Sequence, residues 1–188
     1  MELIGLIGVP FAASLLLFLI PFYGRYLALS LSLIPLILLH AGGVGHSLNY
    51  PWISALSINF HLAIDALSFV FLFLTCVIVP ISIWVADKNY PNSFYGLILL
   101  TQALLIGFFT AQDLVLFTVF WEAMLFPLYF IIAIWGKEEK RKAALQFLLY
   151  MIAGSTLMIV GVLAIYFSAG SFDFATLAKN TYAPWILA

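Results

Sequence analysis

Six apolar runs, each close to the length of a membrane span, follow one another along the chain: Leu3 to Ile20, Tyr26 to Val44, Ala63 to Val85, Phe94 to Thr110, Leu114 to Trp135, and Ala143 to Phe167. A helix rises about 1.5 Å per residue, so runs of this length match the ~30 Å hydrocarbon layer of a bilayer. The pattern predicts an all-α, polytopic transmembrane helix bundle of about six spans, forming a single membrane domain over residues 1–188. Pro10, Pro35, Pro80 and Pro127 fall inside the runs. Membrane helices tolerate proline because neighbouring groups can satisfy the freed carbonyls, so these positions predict kinks rather than ends.

The segments between the runs carry an independent orientation signal. Arg25, Lys88 and the group Lys137, Lys140, Arg141 and Lys142 occupy the first, third and fifth loops, and the second and fourth hold no lysine or arginine. The positive-inside bias then puts those three loops in the cytoplasm and the N-terminus outside; Lys179 alone departs from it. The second loop, Gly45 to Leu62, alternates Trp52, Leu56, Ile58 and Phe60 with Ala55, Ser57, Asn59 and His61. That period of two predicts a short strand or hairpin on the outer surface.

Composition changes the picture only by narrowing it. With 65% hydrophobic and 8% charged residues and a mean hydropathy of +1.17, the chain has a membrane as its solvent, and its loops are too short for a separate soluble catalytic domain. A net charge of −1 offers no basic surface for nucleic acid, and Lys137 to Lys142 mixes signs as a loop does. The sole cysteine, Cys76, lies inside a run, so neither a disulfide framework nor an iron–sulfur cluster can be built from this chain. Met1-Glu2-Leu3 lacks the basic flank of a secretory signal, and the first run is read as a mature span.

Polar residues within or beside the runs are the candidates for chemistry. Glu122 interrupts the run Leu114 to Trp135 about 4 Å along the axis from its midpoint. A carboxylate there costs roughly 2.5 kcal/mol or more on insertion scales, and such residues mark proton or ion paths facing a protein interior. Pro127 cannot donate to the carbonyl of Ala123, which leaves an acceptor beside the carboxylate. Desolvation favours the protonated form of a lone carboxyl and a nearby ammonium favours the charged form, so a cation's distance would set its protonation. No lysine or arginine of this chain lies within a run, so that cation is expected from elsewhere. Asp65 and Asp113 precede runs and read as helix caps. Gln146, Tyr150, Gly154 and Gly161 share one face of the last run and predict close helix packing. His40, His46 and His61 fall near the outer side without ligand spacing, so interfacial hydrogen bonding is expected there and no metal site.

The stretch Phe120-Trp121-Glu122-Ala123-Met124-Leu125-Phe126-Pro127-Leu128-Tyr129-Phe130, followed by Ile134-Trp135-Gly136 and a basic loop, resembles the fifth span of the chain M family of bacterial NADH–quinone oxidoreductase, the antiporter-like membrane subunits of respiratory complex I. Ala111-Gln112-Asp113-Leu114 resembles the family's entry into that span, and Asp65-Ala66-Leu67-Ser68 matches except that the family usually has glycine where Ala66 stands. The resemblance implies the N-terminal part of an antiporter-like inverted-repeat fold that stops before a seventh span, which Pro184-Trp185-Ile186-Leu187-Ala188 approaches. It implies a non-redox, proton-translocating subunit that couples quinone reduction to pumping, with Glu122 as the charge-pair carboxylate whose lysine lies beyond Ala188. No cofactor is expected in this chain; NADH, FMN, iron–sulfur clusters and a quinone belong to the whole complex. The implied partners are other membrane subunits and the lipid bilayer, and the implied location is the bacterial inner membrane. Alternatives are a subunit of a multi-subunit sodium/proton antiporter or membrane-bound hydrogenase, or a non-transporting structural or assembly piece.

Overall fold

A computed structural model of the chain describes residues 2–19, 24–56 and 58–178; Lys179 and the stretch Pro184 to Ala188 lie outside the described residues. Helices form on the six apolar runs: α1 (Glu2–Leu19), α2 (Gly24–Gly42), α3 (Ala66–Val85), α4 (Asn92–Thr110), α5 (Leu114–Trp135) and α6 (Lys140–Ala169), followed by the short α7 (Phe174–Leu177). Pro10, Pro35, Pro80 and Pro127 are all inside helices. By length and composition α2 to α6 can each cross a membrane, while the apolar part of α1, Leu3–Leu19, is shorter. The protein is a multi-pass membrane helix bundle.

The helix starts follow from their caps. Asp65 accepts a hydrogen bond from the Ser68 amide at 2.7 Å, and Asp113 accepts from Val115 at 2.8 Å and Leu116 at 3.2 Å. Both aspartates therefore satisfy amides that a helix's first turn leaves unpaired. Between α2 and α3 the chain forms an antiparallel hairpin, β1 (Ser47–Ile53) and β2 (Ile58–Ala63), in the register Ser47 to Ala63 and Tyr50 to Phe60. Ile58 and Leu62 of β2 are buried, and Leu62 bridges to Ala111 at the end of α4. The hairpin is thereby fastened to the bundle.

Helix α4 is the hub, packing on α1, α2, α3 and α5, whereas α6 packs on α5. One apolar cluster joins Leu3, Leu6, Leu39, Leu62, Leu72, Ile106 and Leu116 at the hairpin end; a second joins Ala13, Leu17, Ala28, Ile83, Phe94 and Leu99 at the other. The Arg25 side chain donates to the Trp84 carbonyl, and the Phe94 and Trp135 rings meet edge-on at 5.3 Å. These contacts gather the start of α2, the end of α3, the start of α4 and the end of α5 at one end of the bundle, so the loops bearing Arg25, Lys88 and Lys137 to Lys142 share that end.

The packing face expected on α6 is not the one that meets α5. Gln146, Tyr150, Gly154 and Gly161 are all exposed, and a Cβ added to either glycine would meet nothing within 4 Å. The buried positions of α6 are Ala144, Ser155 and Val162, with Leu148, Met151 and Met158 half-buried between them and Tyr166 half-buried one turn beyond. Their three- and four-residue spacing makes a single stripe, and this is the seam that meets α5. In a membrane the lipid-facing surface is as apolar as the seam, so small and polar residues do not by themselves say which face packs.

Candidate functional site

Glu122 lies about 12 Å from the start of α5, in its third turn. The rotation of α5 about its axis is fixed from the α4 side. Gly107 of α4 has no side chain, and Phe120 occupies the space a Cβ would need. Phe108 extends the contact, with the Phe117 ring at 4.3 Å and the Trp121 ring at 5.5 Å. A helix turns by about 100° per residue, so Glu122, two positions after Phe120, projects roughly opposite to α4.

On that side lies the α6 seam. Leu114, Val115 and Tyr166 pack on a cluster of Ile58, Val162 and Phe172, which pins the start of α5 beside the end of α6. The two helices run antiparallel with equal rise, so seven residues on from Val115 along α5 corresponds to seven residues back from Val162 along α6. Glu122 and Ser155 therefore sit within about one helical turn of the same level. Ser155 is only 4% exposed, and its hydroxyl donates to the Ile152 carbonyl at 3.1 Å. Glu122 itself is half-buried, and among the described residues its carboxylate has no hydrogen-bond or ion-pair partner. Val119 and Phe126, three residues before and four after it, are exposed, so the carboxylate stands where the seam borders an open flank of α5.

A second polar group ties the hairpin end together. Asp113 is fully buried, and besides capping α5 it receives the Asn59 amide of β2 at 3.4 Å. The His61 carbonyl accepts the Gln112 amide at 2.8 Å, and the Gln112 carbonyl accepts the Phe174 amide at 3.0 Å. The His61 ring meets the Asp173 carboxylate at 3.0 Å. An ionised carboxylate only accepts, so Nδ1 of His61 carries the proton in that bond. Burial pushes the Asp173 carboxyl up, but hydrogen bonds from His61 and from the Thr176 amide and hydroxyl outweigh it and leave the group below its ordinary 3.8. Asp173 is not among the candidates read from the sequence; the signal available there is an aspartate directly before the helical stretch Phe174–Leu177. His46 bonds the Gly42 carbonyl, and His40 borders an apolar cleft beside Leu36, Phe69 and Phe73. Among the described residues no three histidine, cysteine or acidic side chains gather as metal ligands would.

The family profile described as "NADH:quinone oxidoreductase/Mrp antiporter, TM" matches residues 111–187, which take in α5, α6 and Glu122. A protein of Nostoc sp., "NAD(P)H-quinone oxidoreductase chain 4 1", is 40% identical over 137 residues, covering 71% of this chain and 26% of the relative. In Rhodobacter capsulatus, "NADH-quinone oxidoreductase subunit M" is 42% identical over 132 residues, covering 67% of this chain and 25% of the relative. Among solved structures, a chain of respiratory complex I from Thermus thermophilus with bound NADH superposes with a TM-score of 0.86 at 28% identity, over 99% of this chain and 41% of that one. The chain thus spans about a quarter of the length of the curated relatives it matches.

Proposed function

The chain is a homologue of the antiporter-like subunits called chain 4 or subunit M in NADH–quinone oxidoreductases, and from that premise we propose that it supplies part of the proton path of such a complex, with Glu122 as its protonatable group. The observation that carries this reading is the setting of Glu122: an acid in the middle of an apolar helix, turned away from the α4 hub, with no partner among the described residues. An acid so placed costs a few kcal/mol and has few structural uses.

In this reading NADH, FMN, iron–sulfur clusters and quinone react in other subunits, and electrons do not enter this chain. Quinone reduction there moves charge along the membrane, and the charge state near Glu122 follows. The complex lies in the bacterial cell membrane with this chain among its membrane subunits. The test is Glu122→Gln in the full-length subunit within the assembled complex, scored by proton uptake into vesicles and by coupled quinone reductase activity. We expect both to fall at least tenfold with assembly intact; an assembled variant that pumps normally refutes the role. The matching profile also names Mrp antiporters, and a vesicle signal that requires sodium would move the chain to that branch.

A further inference from the structure

At the basic end of the bundle the start of α2 and the loop between α3 and α4 line an open pocket of about 240 Å³, walled by Arg25, Tyr26, Lys88, Tyr90 and Asn92. We propose that this pocket binds the phosphodiester headgroup of an anionic phospholipid, with its acyl chains lying along the outer faces of α2 and α3.

Charge is the first argument. Arg25 and Lys88 both face the pocket, and among the described residues neither has a carboxylate partner. The neighbouring acid, Asp87, uses its carboxylate on the Asn89 amide at 3.0 Å and its carbonyl on the Tyr95 hydroxyl at 2.8 Å. The Arg25 guanidinium lies over the Trp84 ring, 6.0 Å from its centroid, and donates to the Trp84 carbonyl. A guanidinium has five N–H donors, so this anchoring orients the group and leaves donors for an anion. Two helix starts add to the field: α2 opens at Gly24, and α4 opens after Pro91 without a side-chain cap. They approach so closely that a Cβ on Gly24 would overlap the Asn92 side chain.

Shape and surroundings select the lipid. At about 240 Å³ the pocket is far larger than one water needs, a space suited to a hydrated phosphodiester. Tyr26 is 68% exposed and Trp84 is 65% exposed at its rim, the aromatic pair expected where a membrane helix meets the headgroups. From that rim an exposed apolar strip continues through Leu33 and Ile37 on α2 and through Ile81 and Ile78 on α3. A soluble phosphate would use the cations and leave the strip bare. Basic pockets between membrane helices bind anionic headgroups in this way.

Native mass spectrometry of the full-length protein in its membrane assembly, purified in mild detergent with added phosphatidylglycerol or phosphatidylethanolamine, tests the site. Phosphatidylglycerol should be retained preferentially. Lys88→Gln alone should weaken its retention roughly tenfold, and Arg25→Gln with Lys88→Gln more, since each removes a charge-assisted hydrogen bond. The charge-matched pair Lys137→Gln and Arg141→Gln, at the same end but away from the pocket, should leave retention unchanged. If the double variant does not assemble, the Lys88→Gln result stands alone, because that exposed side chain makes no bond within the described residues. Equal retention by Lys88→Gln and the control pair, no preference for phosphatidylglycerol, or displacement of the lipid by millimolar inorganic phosphate would each overturn the proposal.

Discussion

Replacing Gly107 with alanine perturbs the contact that aims Glu122, and its cost can be bounded from geometry. The added Cβ would come within 2.6 Å of Cδ1 of Phe120, with two further ring atoms nearer still. Real Cβ atoms do not sit so close to carbon, so either the ring leaves its rotamer or α5 moves away from α4. Overpacking of this kind costs about 1–3 kcal/mol. For a chain of this size that corresponds to a fall in Tm of roughly 2–12 °C. The assay is thermal unfolding of the purified protein, followed by intrinsic fluorescence. Phe120→Leu trims the obstructing ring, so the double variant should recover part of the loss, with a coupling energy of at least ~0.5 kcal/mol in a double-mutant cycle. Gly154→Ala and Gly161→Ala are the internal controls: their Cβ atoms meet nothing within 4 Å, and helix propensity alone predicts a gain of about 0.5–1 kcal/mol or no change. Additive effects of Gly107→Ala and Phe120→Leu, or equal behaviour of all three glycine variants, would refute the packing argument.

Orientation is checked with single cysteines at Asn49 and Lys142 in a Cys76→Ser background: an impermeant thiol reagent added to intact cells should label the first and not the second, and the reverse would invert the bundle. The His61–Asp173 pair gives a pH dependence. Because the Asp173 carboxyl titrates lower in the folded protein than its ordinary 3.8, the bond contributes stability above about pH 4 and loses it as pH falls through the lowered value. Hydrogen exchange corrected for intrinsic rates should show β2 and residues 174–177 well protected at pH 6, with protection falling as pH drops below 3.8 through the lowered value, and His61→Ala should remove it already at pH 6; equal protection of His61→Ala and the unaltered chain at pH 6 would show that the pair does not hold these segments.

What was legible in the sequence was what hydropathy measures. The run Leu114 to Trp135 coincides with α5, and the alternation around Ile58 became β2. Where other physics sets an element's end, hydropathy misplaces it. The third apolar run begins at Ala63, but Ala63 closes β2 and α3 begins only after the Asp65 cap, because an apolar strand residue and an apolar helix residue look alike to a hydropathy window. The last apolar run begins at Ala143, yet α6 begins at Lys140: the charged turn is helical without being apolar, and it follows Glu139 in a left-handed conformation at φ 52°.

The depth of Glu122 was readable and its direction was not. Depth follows from counting residues along an apolar run, whereas direction depends on which neighbour the helix rotates toward. That choice was made by Gly107 on another helix, whose missing side chain admits Phe120 and turns Glu122 to the opposite side. The same limit explains α6, where Gln146, Tyr150 and the glycines read as a packing face while Ala144, Ser155 and Val162 form the one that meets α5. In water a buried face declares itself by being apolar; in lipid both faces are, so packing direction has to come from pairs of residues distant in sequence. It follows that sequence changes confined to α4 at Gly107 should alter the environment of Glu122 without touching α5, a coupling that pumping measurements on Gly107→Ala and Gly107→Ala/Phe120→Leu would expose as loss in the first and partial recovery in the second.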